Sequence, residues 1–221
     1  MIRVIGDVHG KIDQYKKITE DCNYSIQIGD IGFKNEWDRV ANEIPGDKHK
    51  IIAGNHDDYD TLIHVKNYLG AFGGDISTFE IPFFFVRGAY SLDTKVRTMG
   101  IDLWPEKEEI SYSTLGTAIR VYEKVKPEIV LTHDAPKSVT LQMFNPTWDY
   151  PSRTVEALDQ MLEIHQPKLW IFGHWHKTSF KKINDTMFIC LGELDYIDYD
   201  ETKDVHQNID LITKQIWKMM R

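Results

Sequence analysis

Cysteine is nearly absent: Cys22 and Cys190 are the two thiols of a 221-residue chain, too few for a disulfide framework. Cys190 falls inside the apolar run Met187-Phe188-Ile189-Cys190-Leu191 and reads as a buried thiol. Long apolar runs are missing too. No stretch approaches the roughly 20 residues that a membrane-spanning helix needs, so no membrane partner is expected. Basic clusters are short, as in Lys181-Lys182, and 26 Lys and Arg stand against 34 Asp and Glu, a formal charge of −8. That balance argues against a broad nucleic-acid-binding face and leaves nucleic acid possible only as a substrate. A first strand is expected at Ile2, with Asp7 close behind, so no signal peptide is expected. The expected location is therefore the cytoplasm. Internal repeats and low-complexity segments are also lacking.

What remains is an ordinary globular composition, 42% apolar and 27% charged. Against it stands an ordered set of polar motifs, each at the end of an apolar run. They are Gly6-Asp7-Val8-His9-Gly10, Gly29-Asp30, Gly54-Asn55-His56-Asp57, Thr132-His133-Asp134 and Gly173-His174-Trp175-His176. All offer Asp, Asn or His, donors suited to divalent first-row metals. Ligands spread this far apart meet only if the fold gathers the strand ends, which is what a two-metal hydrolytic site requires. A split between motifs would divide the site. Residues 1–221 are therefore expected to form a single domain, with 193–221 as a C-terminal extension packed on it. A lone Asp-x-His or His-x-His is more often a turn or surface pair; the ordered set carries the reading.

Between the motifs the chain alternates strand and helix. Strands are expected at Ile2 to Ile5, Ser25 to Ile28, Lys50 to Ala53, Glu128 to Leu131 and Lys168 to Phe172. Helices are expected at Lys11 to Glu20, Glu36 to Asn42, Tyr59 to Tyr68, Tyr112 to Lys124, and from a Ser152 cap to His165. The middle reads as two strands, Ile76 to Ile81 and Phe83 to Val86, with Phe83-Phe84-Phe85 as core. A hairpin follows around Asn184-Asp185. The acidic stretch Glu193 to Glu201 reads as solvated surface, and Ile209 to Trp217 as amphipathic. Trp104 and Trp148 sit among loop-like residues where either could wall a pocket.

From Ile2 to about Leu191 these motifs resemble the calcineurin-like metallophosphoesterase superfamily. The segment Gly88-Ala89-Tyr90-Ser91-Leu92-Asp93 through Arg97 to Trp104-Pro105-Glu106 is similar to one in small bacterial and phage members. The resemblance implies an α/β fold, a four-layer α-β-β-α sandwich of the metallo-dependent phosphatase type. It also implies a cofactor of two divalent metal ions, manganese first, with iron, zinc or nickel as alternatives. By motif position, Asp7, His9 and His176 would hold one metal, Asn55, His133 and His174 the other, and Asp30 would bridge both. A water between the metals, acidified to hydroxide, would attack phosphorus. His56 would protonate the leaving group.

The chain departs from the protein Ser/Thr phosphatase branch. That branch follows Gly-Asp with an Asp-Arg pair, whereas here Gly29-Asp30 is followed by Ile31-Gly32-Phe33-Lys34. Asp57 stands where that branch has Glu. The partner of His56 is left open, with Asp57 and Asp58 as candidates, and phosphate binding is expected to fall to Arg97 or Arg153. The expected activity is phosphoester hydrolysis, with a phosphodiester slightly favoured over a phosphomonoester. A non-catalytic scaffold on the same fold, as in a retromer subunit, is the rival from another class.

Overall fold

Strand β1 (Ile2–Ile5) is buried on both faces. Ile2 and Val4 point into one apolar cluster and Ile5 into another. The same alternation explains the aromatic run in β5 (Ile81–Val86): Phe83 and Phe85 face one cluster, Phe84 and Val86 a second. Strands that read as continuous apolar runs are those covered on both sides. The computed structural model that shows this describes residues 1–76, 81–146 and 150–220.

Two sheets result. The first has the order β10 (Tyr196–Tyr199), β1, β2 (Tyr24–Gln27), β3 (His49–Ile51); β1, β2 and β3 run parallel and β10 antiparallel to β1. The second has the order β4 (Phe72–Ile76), β5, β6 (Ile129–Thr132), β7 (Leu169–Phe172), β9 (Thr186–Cys190), β8 (Ser179–Ile183). Its central strands are parallel and its two edges antiparallel. Their facing surfaces enclose one core, with Val4, Ile26 and Ile28 opposite Phe85, Leu131 and Ile171. Helices α1 (Ile12–Glu20), α2 (Lys34–Glu43) and α3 (Tyr59–Leu62) cover the outer face of the first sheet through Tyr15, Trp37 and Leu62. Helices α5 (Tyr112–Val125), α6 (Lys137–Met143) and α7 (Arg153–Ile164) cover the second through Tyr122, Val139 and Leu158. The architecture is the expected four-layer α-β-β-α sandwich. Among the described residues, no helix is long and apolar enough to cross a membrane.

Three local expectations are corrected. The stretch read as acidic solvated surface holds β10, with Ile197 fully buried and Tyr199 nearly so. Its charge is neutralised in place: Asp198 takes both ends of the Arg3 guanidinium at 2.8 and 3.0 Å, and that guanidinium lies 4.1 Å over the Tyr196 ring. Beyond it α8 (Val205–Met219), opened by a capping box of Asp204 and Gln207, sends Ile212 and Ile216 into the inter-sheet core. Second, the helix from Tyr59 stops at Leu62. The chain instead adds to β3, with Ile51 N bonded to Asn67 O and Leu69 N to Ile51 O. The Asn67 amide secures that turn on the carbonyls of Ile44 and His49. Third, the strand placed at 76–81 is shifted: β4 ends at Ile76 and β5 begins at Ile81, while 77–80 lie outside the described residues. Pro82, which has no N–H for a ladder, falls where the β4–β5 register slips. Trp148 lies outside the described residues too, and Trp104 precedes the short helix α4 (Pro105–Glu108).

Candidate metal centre

Every motif lies just beyond the carboxyl end of a parallel strand. Asp7 and His9 follow β1, Asp30 follows β2, Asn55 and His56 follow β3, His133 follows β6, and His174 and His176 follow β7. The chain turns sharply at this rim. His9, Asp30, His174 and His176 have φ of 46, 61, 66 and 48°, a left-handed backbone rare in residues other than glycine and typical of functional sites. The motif glycines make room: a Cβ at Gly54 would stand 2.2 Å from Asp30 Oδ1, and one at Gly173 2.4 Å from Asp7 Oδ1.

Two donor clusters form. Asp7, His9, Asp30 and His176 bring ligand atoms within 4.8 Å of one another, as do Asp30, His133 and His174. Asp30 belongs to both. Asn55 Oδ1 lies 3.1 Å from His133 Nε2, at the second cluster. All seven residues expected as ligands thus meet. Asp7, Asp30, Asn55, His133 and His174 are buried, whereas His176 is open to solvent.

The donor set suits divalent cations. Asp7 Oδ1 accepts the His174 backbone N–H at 3.1 Å and Asp30 Oδ1 the His56 backbone N–H at 2.8 Å. Oδ2 of both carboxylates is buried without a formed hydrogen bond, and what faces it is imidazole nitrogen. His176 Nε2 lies 3.2 Å from Asp7 Oδ2, and His9 Nε2 3.8 Å from Asp30 Oδ2. His9 Nε2 and His176 Nε2 approach to 2.9 Å. Lone pairs converging on buried carboxylate oxygens are what a cation satisfies.

The electrostatics agree. Burial alone would raise Asp7, but the imidazoles of His176 and His9, 3.2 and 3.6 Å from its Oδ2, hold it at about 2. Burial is likewise outweighed at Asp30, which His133 keeps well below the usual carboxylate range. At His133 burial opposes the cation, yet the Asp30 charge pushes it up to about 10. Burial prevails at His174 and His56 and lowers both, against the pull of Asp134 and Asp30 respectively.

The partner left open for His56 is neither candidate. Asp57 is buried and accepts four hydrogen bonds, from Asp30 N, Gly32 N, Trp37 Nε1 and Gly54 N at 2.7–3.1 Å. It ties two motif loops together. Asp58 caps α3. The carboxylate near His56 Nε2 is Asp93, whose Oδ2 lies 3.6 Å away. The two arginines expected to bind phosphate have their guanidinium groups engaged by the protein itself. Arg153 binds the carbonyls of Ile110, Glu109 and Pro105 at 2.7–3.2 Å. Arg97 is buried on Ser91, Asp102 O and Glu108. A further residue escaped sequence reasoning. Asp134 is fully buried, its Oδ1 bound by Trp175 Nε1 at 3.0 Å and its Oδ2 4.0 Å from His174 Nε2. It stands in the Thr132-His133-Asp134 motif, and Asp93 stands in the segment from Gly88, but spacing could not show what either faces.

Comparison with known proteins agrees with this geometry. Among solved structures, phosphopantetheinyl hydrolase from Mycobacterium tuberculosis superposes with a TM-score of 0.53 at 15% identity, over 92% of this chain and 97% of that one. A dimetal phosphatase from Danio rerio superposes with a TM-score of 0.54 at 14% identity, over 87% of each chain. A putative 5'-nucleotidase from Staphylococcus aureus gives 0.51 at 14% identity, over 98% of this chain and 58% of that one. At these identities the likeness is one of fold. No curated protein matches. The family model of the calcineurin-like phosphoesterases matches residues 1–178, a span that contains every motif at the rim, and the chain belongs to that family.

Proposed function

We propose that this metal-dependent phosphoric ester hydrolase works with two divalent cations and acts on phosphodiesters in preference to phosphomonoesters. The observation that carries the reading is Asp30, one buried carboxylate shared by two donor clusters. Asp7, His9 and His176 would hold one cation and Asn55, His133 and His174 the other, with Asp30 between. Manganese is the first choice among metals of this ligand class. When bound, the cations supply Lewis acidity toward phosphoryl oxygens and acidify water.

The chain's own groups do the rest. Asp7 and Asp30 lie at the buried floor, where fixed charges act with little screening by water. His176 and the half-buried His9 and His56 stand nearer solvent, on the side from which an ester arrives. The His56 and His9 rings are edge to face, 5.2 Å apart. This sets the His56 imidazole over the first cluster, where it gives a proton to the leaving oxygen. The preference for a diester follows from charge. A diester carries one negative charge where a monoester carries up to two, and both arginines expected to clamp phosphate are committed elsewhere. The whole chain, 1–221, works as one unit, since β10 and α8, beyond the last motif, pair with β1 and pack into the inter-sheet core; its expected place is the cytoplasm.

The test is steady-state hydrolysis of bis-p-nitrophenyl phosphate against p-nitrophenyl phosphate, with Mn²⁺ and with chelator. Preference for the diester, lost on chelation, is the expected result. Preference for the monoester would overturn the diester reading. Inertness toward both with two cations bound would point to the scaffold role.

A further inference from the structure

The segment between β5 and α4 touches the site at two places. At one, Ser91, buried, accepts the Asn55 amide N–H at 3.0 Å and donates to Glu108 Oε2 at 2.8 Å. The Asn55 Nδ2 is thereby occupied, and its Oδ1 is left facing His133 and the second cluster. At the other, Asp93 Oδ2 stands 3.6 Å from His56 Nε2. One side chain joins them. Arg97 donates to Ser91 Oγ and to Glu108 Oε1 and lies 3.6 Å from Asp93 Oδ1. It also donates to the Asp102 carbonyl, and its side chain is 5% exposed. Glu108 is 2% exposed and accepts the Trp104 backbone N–H at 2.9 Å as well, so this carboxylate is held from both sides.

We propose that Arg97 is a positioning residue that clamps this segment onto the site, holding Asp93 opposite His56 and Ser91 behind Asn55. The proposal rests on the reading of His56 as the leaving-group acid and of Asn55 as a cation ligand. A guanidinium suits the task because its planar fork serves several oxygens at once, which a lysine ammonium does at one point only. Asp93 Oδ2, 3.6 Å from Nε2, gives the His56 imidazole a carboxylate to one side, which favours its protonated form and one ring orientation. With Ser91 on Nδ2, the Asn55 amide cannot turn its nitrogen toward a cation. In this chain a segment far from Gly29-Asp30 therefore supplies the carboxylate beside the catalytic histidine.

The decisive variants are Asp93→Asn and Ser91→Ala, with His56→Ala run in parallel on the Mn²⁺-loaded enzyme. Asp93 is 38% exposed, so an isosteric amide leaves the fold intact. The substrates are phosphodiesters with nitrophenyl and alkyl leaving groups, and cation affinity is read by calorimetry. His56→Ala should lose activity mainly on alkyl esters. Asp93→Asn should follow it, losing about tenfold or more on alkyl esters and far less on nitrophenyl esters, with cation affinity unchanged. Combining it with His56→Ala should add no further loss. Ser91→Ala should weaken one of two cations by about tenfold to hundredfold and keep the leaving-group profile. Arg97→Lys should show both defects. If His56→Ala is selective for leaving group and Asp93→Asn is not, the clamp on His56 is refuted while the acid stands. If His56→Ala is itself unselective, the acid reading falls first and the clamp on His56 with it. Unchanged cation affinity in Ser91→Ala refutes the clamp on Asn55.

Discussion

An alanine at Gly29 tests how closely the site is built. Gly29 has φ +121°, and a Cβ there would stand 2.1 Å from His133 Nδ1. His133 cannot step aside: it is fully buried, with Nδ1 bonded to the Ile28 carbonyl at 2.9 Å and Nε2 3.3 Å from Asp30 Oδ1. Two costs add. Forcing an L-residue to that φ costs on the order of 1–3 kcal/mol. Overpacking a rigid neighbour costs about 1–3 kcal/mol more. Gly70 separates them, because its φ is +104° and a Cβ there meets nothing within 4 Å. Gly70→Ala should therefore lose about 2 kcal/mol and Gly29→Ala about 4, roughly 4–8 °C and 8–16 °C in Tm for a domain of this size. Gly29→Ala should also weaken Mn²⁺ binding, since His133 moves, while Gly70→Ala should bind as wild type. The assay is thermal unfolding of both variants with titration calorimetry of Mn²⁺. Equal Tm losses with equal Mn²⁺ affinity would refute the claim that the glycine is there to seat His133.

Three further outcomes are expected. Asp30→Asn should weaken both cations and nearly abolish turnover; two tightly bound cations by metal analysis with near-normal activity would exclude a bridging role. Asp134→Asn should lower affinity for one cation by about tenfold to hundredfold in calorimetry, because a carboxylate behind a histidine fixes its tautomer and ring; unchanged affinity would leave Asp134 a packing residue. His49 is buried at the far end of β3 with Nδ1 2.9 Å from Ser25 Oγ. Burial, helped by the Lys48 charge, lowers its pKa. The unfolded chain then binds the proton more readily, so this contribution to stability is complete above about pH 6.5 and is lost as pH falls below it. Melting curves from pH 7.5 to 5.5 should fall less steeply for His49→Gln than for wild type, and parallel curves would remove the assignment.

Much of this was legible in order along the chain, for a local reason. Alternating apolar runs and polar turns fix strands and helices within a few residues, and strands parallel in a sheet deliver their last residues to one rim. Asp7, His9, Asp30, Asn55, His133, His174 and His176 could thus be assembled from motif order alone. The Ser152 cap was visible too, its hydroxyl accepting Val155 N–H. The amphipathic stretch that became α8 was legible as well, but β10 was not, because the acidity of Glu193 to Glu201 hid a strand whose Asp198 is neutralised by Arg3. Arg97 and Arg153 were misplaced for the same kind of reason. A guanidinium suits phosphate and carboxylate alike, and only proximity decides between them. Sequence thus determined which chemical groups the rim holds. Tertiary structure decided what stands behind them: Asp93 beside His56, Ser91 behind Asn55, and Asp134 beyond His174. Such partners meet across gaps that local propensity does not span, and their meeting depends on how two sheets and one inserted segment pack.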